Sequence, residues 1–390
     1  EKAILAIIIR ERDRARWRQL NFAMGRKRGR SVQMVQVEQE DGTIQEFTGQ
    51  EEVHEAIWSN IHQKRFYLAE QAPICSDLLR GEFGYNADTE SARQVLSGAY
   101  NPTHPIDEAT KELFDTVAAI RQKVEKDSIS TIIKHGDWSN FWRKPNENTS
   151  SSRSGRHFGH YIAGASSELI SHFHAVKTSI VLSRGISLER WAQGLSVMIE
   201  KVQGCSLVSK LRSILLMEAD FNCANKLLYG IRMLNNVRRH ELMPEEIFSE
   251  KNRMADDGTL AKTLFYDLVR QSRRPAGLSS VDADNCYDRI AHAIASLVCQ
   301  AFGVPQEAVG SMLQTIQEMK FFLRTAYGDS TSAAGSHIEV KTQGLCQGNG
   351  AAPAGWAVVS ITILQAHKRK GHGMKILCPI SNLKGHVAAV

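Results

Sequence analysis

Asp282, Asp284 and Asp288 stand close together in one short stretch, VDADNCYDRI (281–290), and a second polar stretch, TQGLCQGNGAAPAGW, follows at 342–356. A carboxylate that ends a buried strand must be paired or must hold a metal, because an isolated buried charge is too costly. Phosphoryl transfer uses such a group: two Mg2+ ions roughly 4 Å apart stabilise the attacking and leaving oxygens, and one shared carboxylate bridges them. Alternation along a strand puts Asp282 and Asp284 on the same face, so spacing alone does not rank them. In the second stretch, Gly344-Leu345-Cys346-Gln347-Gly348 reads as a turn that leads to Pro353 and a helix. Glycine lets backbone approach a base pair closely, and Gln347 offers both a donor and an acceptor. Upstream, Lys201 and Arg212 lie on two extended runs separated by a loop with Gly204. Cations there offset phosphate charge in a partly dried site.

Taken in order, the two stretches resemble the first and second palm motifs of reverse transcriptases of the non-LTR retrotransposon type. The resemblance implies a right-hand polymerase, an RNA-directed DNA polymerase that adds dNTPs to a primer 3′ hydroxyl on an RNA or DNA template. The leading acid of the first motif is the family's metal ligand, which assigns Asp282 to Mg2+ (two ions in the complete enzyme, Mn2+ as a substitute), with the Ala283 carbonyl as a further oxygen. Asp288 reads instead as a cap or an ion-pair partner. Tyr287 falls where the family has an aromatic that leaves no room for a ribose 2′ hydroxyl. Gly344, Gln347, Gly348 and Pro353 match the template- and dNTP-seating motif, although Ala352 stands where the family usually has Ser. Arg212, just before Ile214-Leu215-Leu216, is similar to the fingers Arg that closes over the triphosphate, with Lys201 beside it. Lys226 and Arg232 match basic positions of the next helix less specifically.

The resemblance is specific over 155–390 and loose over 1–154. Its third palm motif, an aromatic-x-Asp-Asp hairpin, is not found after Pro353; Met254-Ala255-Asp256-Asp257 precedes Asp282 and reads as a surface turn. The chain is therefore expected to be an internal piece, beginning at Glu1, with an incomplete palm that ends before that hairpin and with no synthesis of its own. Two rivals remain. A viral-type RNA-dependent RNA polymerase also carries acids spaced like Asp282 and Asp288, but its sugar gate is polar; a catalytically inactive RNA-binding relic would bind without extending. Gly348-x-Gly350 is no dinucleotide fingerprint, since its third Gly is misplaced. His157 and His160 lack a third ligand for a metal.

The elements that must position these residues read as α+β, an antiparallel sheet backed by helices. After a basic arm (1–30), residues 31–150 read as a mainly helical linker region with a hairpin around Asp41-Gly42 and a capping box at Thr48/Glu51, Val53, Ile57 and Ile61 sharing one helix face. Helices are expected at 88–98 and 106–125, and Pro145 with the polar stretch 146–154 marks a boundary. Residues 151–275 read as fingers: a helix near 160–176, a short one near 187–193, strands 195–201 and 210–216, a helix with Phe221, Leu228 and Ile231 on one side, and another at 259–274. Residues 276–390 read as palm, with the acidic strand, helices through Ile290–Ala301 and from Pro305, a strand pair 319–327 and 337–341, and a last helix from Pro353 to about Gly371.

At 390 residues, 42% hydrophobic and 23% charged, the chain has ordinary globular composition. Its net charge of +6 conceals an asymmetry, because residues 1–30 alone carry +7. Arg10, Arg12, Arg14, Arg16, Arg18, Arg26, Lys27, Arg28 and Arg30, interleaved with Trp17 and Phe22, fit a nucleic-acid backbone. Deleting the arm is expected to weaken RNA binding and flatten its salt dependence by about one unit of slope per lost phosphate contact. Filter binding across a salt series measures this, and an unchanged slope would reduce the arm to a solvated helix. Seven scattered cysteines without a Cys-x-x-Cys pair fit a reducing, intracellular setting, nucleus or cytoplasm. The apolar run 3–9 is too short to span a bilayer, so no membrane partner is expected, while template RNA, primer DNA and dNTPs are.

Overall fold

Val53, Ile57 and Ile61 recur every fourth residue, and all three are fully buried along the first helix. The computed structural model describes residues 32–63, 66–124, 127–147, 149, 152–202, 204–248, 250, 252–273, 275–278, 282–333, 342–377 and 384–387. The basic arm lies outside these residues. Strands β1 (Val35–Glu38) and β2 (Ile44–Phe47) form the expected hairpin, Val35 opposite Phe47. The Asp41 carboxylate fixes the turn by accepting from the Thr43 amide and hydroxyl. Helix α1 (Gln50–Ile57) continues as a π-helical turn, Trp58–Gln63. Its cap sits one residue beyond the expected Thr48/Glu51: the Gly49 amide donates to the Glu52 carboxylate at 3.3 Å, and glycine has no side chain to complete a capping box.

Helices α2 (Asp77–Phe83), α3 (Glu90–Ser97), α4 (Glu108–Val124) and α5 (His135–Trp142) follow. The single helix expected near 160–176 is two, α6 (Phe158–Gly164) and α7 (Glu168–Arg184), because Ser167 breaks the run and caps α7 through the Ile170 amide. The short helix expected at 187–193 does not form. That segment is a turn closed by the Trp191 amide on the Leu188 carbonyl, and Trp191 is buried with its indole N–H donating to Asp220.

Strand β3 (Gln193–Glu200) pairs antiparallel with β4 (Leu211–Leu216), Leu195 opposite Leu216. Next come α8 (Ala219–Asn225), a π-helical segment Lys226–Met233, α9 (Leu234–Arg239), α10 (Ala255–Ser272), α11 (His292–Ala301) and α12 (Gln306–Gln317). The chain then enters β5 (Lys320–Thr325), which turns into the short β6 (Gly328–Asp329). Residues 334–341, which hold the expected second strand of that pair, lie outside the described residues. Helix α13 (Ala352–Arg369) opens with Pro353 in its first turn, and β7 (Met374–Leu377) pairs with β8 (Lys384–Val387).

The α+β class is as expected, but the sheet is mixed rather than antiparallel. Its order is β4-β3-β5-β6, and β3 runs parallel to β5, Leu195 opposite Phe322. The long helical crossover from β4 to β5 permits that parallel pairing. One face points into the core through Met198, Leu211, Leu215, Phe321 and Leu323, where the Ser196 and Ser213 hydroxyls bond at 2.5 Å. The other face is partly open and carries Ile199, Arg212, Ile214 and Arg324, with the Arg153 guanidinium 3.5 Å above the Phe322 ring.

Two more expectations change. Phe221 and Leu228 are buried, but Ile231 is exposed, because a π-helical segment has more residues per turn and rotates it off the apolar face. Asp256 and Asp257 form no surface turn: they open α10, where the Asp257 carboxylate accepts from the Met254 amide at 2.7 Å. Beneath the sheet's end lies a buried ionic group. Arg190 bonds both Glu218 and Asp220, Lys177 reaches Asp220 at 2.7 Å, and Ser152 donates to Glu218. No described helix is long and apolar enough to cross a membrane.

Candidate functional site

Gly344 has φ +85°, and a Cβ there would stand 2.6 Å from the Asp288 carbonyl oxygen. Only glycine lets the second stretch lie flat against the first. The Leu345 amide donates to the Tyr287 carbonyl at 2.6 Å, and the Gly344 amide to the Ile290 carbonyl at 3.0 Å. Asp288 is buried, and its carboxylate accepts from the Gln347 amide at 3.3 Å. Besides the cap or ion-pair role expected of it, Asp288 thus serves as an acceptor for the turn. Beneath the turn, burial and the charge of Asp288 push the Cys346 thiol well above its ordinary pKa.

The turn's other side rests on the sheet edge. The Leu215 amide of β4 donates to the Gln347 carbonyl at 2.8 Å, and Gly348, at φ +117°, presses on the Leu215 carbonyl. Helix α8 completes the clamp: the Gly350 backbone amide donates to the Asn222 side chain at 2.8 Å, and the Asn225 side-chain Nδ2 donates to the Asn349 side-chain oxygen at 2.8 Å. A buried relay backs the turn from the opposite side. The His292 amide donates to Gln343 at 2.6 Å, His292 Nε2 donates to the Gly344 carbonyl at 2.7 Å, and Nδ1 accepts from Gln317 at 2.8 Å. Gln343 in turn donates to Glu70 at 2.5 Å, and Glu70 pairs with Arg80.

The sequence does not single out Asn222, Asn225, His292 or Gln343. Its available signals are polar residues on otherwise apolar elements: Asn222 and Asn225 three apart on α8, and His292 opening the run HAIASLVCQA.

The structure joins some of the expected site residues and separates others. Tyr287, Gly344, Gln347 and Gly348 meet in the clamp, with Pro353 just beyond it. Tyr287 is half-buried against the core, and burial raises its phenol pKa. Arg212 stands on β4 three residues from Leu215, roughly 10 Å along the strand, and its side chain is exposed on the open face. Lys201 continues the same hairpin, its amide on the Lys210 carbonyl at 3.0 Å. Lys226 is exposed beside the turn, with its backbone against Gly350. Arg232 is turned elsewhere, donating to the Ser130 carbonyl and to Asp137 at 2.9 Å. Arg14, Arg16, Arg18, Arg26, Lys27, Arg28 and Arg30 lie outside the described residues.

Asp282 and Ala283 are exposed and belong to no described strand, so Asp282 does not stand as the buried strand-end carboxylate expected. Asp284 pairs with Arg289 at 3.1 Å, and a left-handed Asn285 (φ +50°) turns the chain into the 3-10 turn Cys286–Asp288. Among the described residues no three His, Cys, Asp or Glu side chains converge to hold a metal ion. Mg2+ usually keeps several waters and binds through one or two carboxylates together with substrate phosphates, so Asp282 with the Ala283 carbonyl offers part of such a site. The chain matches no family model and no curated protein in sequence comparison.

Proposed function

We propose that this chain is the template- and nucleotide-seating part of a reverse transcriptase of retroelement type. One observation carries the reading: the 344–350 turn is clamped between the Tyr287–Asp288 segment and the edge of β4, so that stretches far apart in sequence make one surface beside Lys226, with Arg212 roughly 10 Å along β4. In this reading the flat glycine turn takes the nascent base pair, the Tyr287 ring meets the sugar, and the exposed cations take the phosphates. In this reading Asp282 would supply one carboxylate to a bound Mg2+ ion.

The test is a ternary complex. A primer–template ending in a dideoxynucleotide should dissociate more slowly from the chain when the complementary dNTP is present, and no more slowly with a mismatched dNTP. Equal retention with all nucleotides would overturn the reading in favour of simple RNA binding.

A second expected outcome concerns the sugar. In an enzyme completed with an aromatic-x-Asp-Asp segment, Tyr287→Val should raise rNTP over dNTP incorporation by on the order of 10–100-fold, since excluded volume of this size is worth about that much discrimination. Asp282→Asn should abolish incorporation of both. Single-nucleotide extension gives the ratio, and an unchanged ratio would remove Tyr287 as the gate.

A further inference from the structure

Leu169, Phe173, Val176 and Ile180 follow one another along α7 at intervals of four, three and four residues, the spacing of a helix seam that meets another helix. They point away from the core, which α7 meets through Ser171, Ala175, Thr178, Val181 and Leu182. Leu169 is 78% exposed, Phe173 64% and Ile180 52%. A contiguous apolar face of this kind marks a contact surface. Val176 and Ile180, with Ile132, also line a groove of about 480 Å3 rimmed by Lys134, His135 and His172.

The same chain carries a helix of complementary form. Helix α10 runs for 18 residues and buries none of them; Leu260 is 58% exposed and Leu264 52%, and Leu268 extends the same ridge. At about 100° per residue, Asp256, Asp257 and Asp267 fall beside the leucine ridge, while Lys262 and Arg270 fall away from it. The ridge is flanked by acids, of which Asp267 also pairs with Arg270 at 3.2 Å and Asp257 caps the helix, and the groove is edged by one lysine and two histidines.

We propose that α10 of a second copy of this chain docks along α7, and that the exchange is reciprocal. Ridge-in-groove packing fits the alternating four- and three-residue spacing of α7 and the four-residue spacing of α10. One helix in one groove falls short of the roughly 1,200–2,000 Å2 of a stable interface, and twofold symmetry doubles the contact. Lys134 at the rim meets the aspartates of the incoming helix.

Sedimentation of the 390-residue chain should show a dimer. Phe173→Lys and Leu264→Glu should each give monomers with unchanged circular dichroism, since both side chains are exposed. Mixing the two variants should restore a dimer, because one wild-type contact survives and the other gains a Lys–Glu pair. Should either variant lose its helical signal, Val176→Lys and Leu260→Glu repeat the test one turn away. A monomeric wild type would overturn the proposal. So would a dimer that Phe173→Lys breaks and Leu264→Glu leaves intact, which would mean that α7 pairs with itself, or a mixture of the two variants that stays monomeric.

Discussion

Gly348→Ala should lower the unfolding free energy by at least about 3 kcal/mol, while Gly42→Ala should cost only roughly 1–2 kcal/mol. Both glycines have positive φ, +117° and +80°, so both substitutions strain the backbone. They differ in what the new methyl meets. At Gly42 nothing lies within 4 Å, whereas at Gly348 the Cβ falls well inside 3.0 Å of the Leu215 carbonyl, which is backbone and cannot swing aside. The turn would have to leave the edge of β4, losing the Leu215–Gln347 bond and loosening the Asn349 and Gly350 contacts to α8. Urea denaturation of the two variants gives the comparison, and dNTP-dependent retention of primer–template should disappear with Gly348→Ala. Equal costs at the two positions would show that the turn does not bear on the sheet.

Local chemistry was legible in the sequence wherever a residue acts on its near neighbours. The hairpin at Asp41, the face made by Val53, Ile57 and Ile61, the helix opened by Pro305 and the Gln347 turn before Pro353 all follow from side-chain spacing and backbone preference. What stayed hidden depends on partners far along the chain. The parallel pairing of β3 with β5 needs a crossover whose path no local pattern encodes, and the helix expected at 187–193 gives way because Trp191 must reach Asp220. Ile231 is misplaced by a π-helical segment, which the 3.6-residue period does not anticipate. For the candidate site, the glycine and glutamine types pointed to the turn, yet the hydrogen bonds that hold it come from Asn222, Asn225, His292 and Gln343, which look ordinary until the fold brings them together. Asp282 is the converse case. Its type and position invite a buried strand end, but it lies exposed, and its proposed role rests on the resemblance.

Arg190→Met should destabilise the chain by about 3–5 kcal/mol at neutral pH, the usual consequence of removing one partner from a buried charged group. Glu218 and Asp220 are fully buried, and among the described residues Arg190 is the cation bonded to both; Lys177 reaches Asp220 at 2.7 Å, where the Trp191 indole also donates at 3.0 Å. Burial by itself would raise the Asp220 pKa, but Lys177 and Arg190 outweigh it and hold the carboxyl below its ordinary value. A depressed folded pKa contributes stability that is fully present above the unfolded value of about 3.9 and is lost as the pH falls through the folded value. The wild type should therefore keep this contribution down to about pH 4. In the variant, burial is opposed only by Lys177 and the Trp191 N–H among the contacts named, the pKa of Asp220 moves up, and protonation relieves part of the penalty. The deficit should be largest at neutral pH and should narrow as the pH falls toward about 4. Urea denaturation of both proteins at pH 7, 5.5 and 4.5 measures it. A deficit under about 1 kcal/mol, or one that stays constant across that range, would mean that water reaches the two carboxylates and that the group does not anchor α8 under the turn. A narrowing deficit would tie the geometry of that turn to charge buried beneath it, because α8 carries Asp220 at one end and Asn222 and Asn225, which grip the turn, along its length.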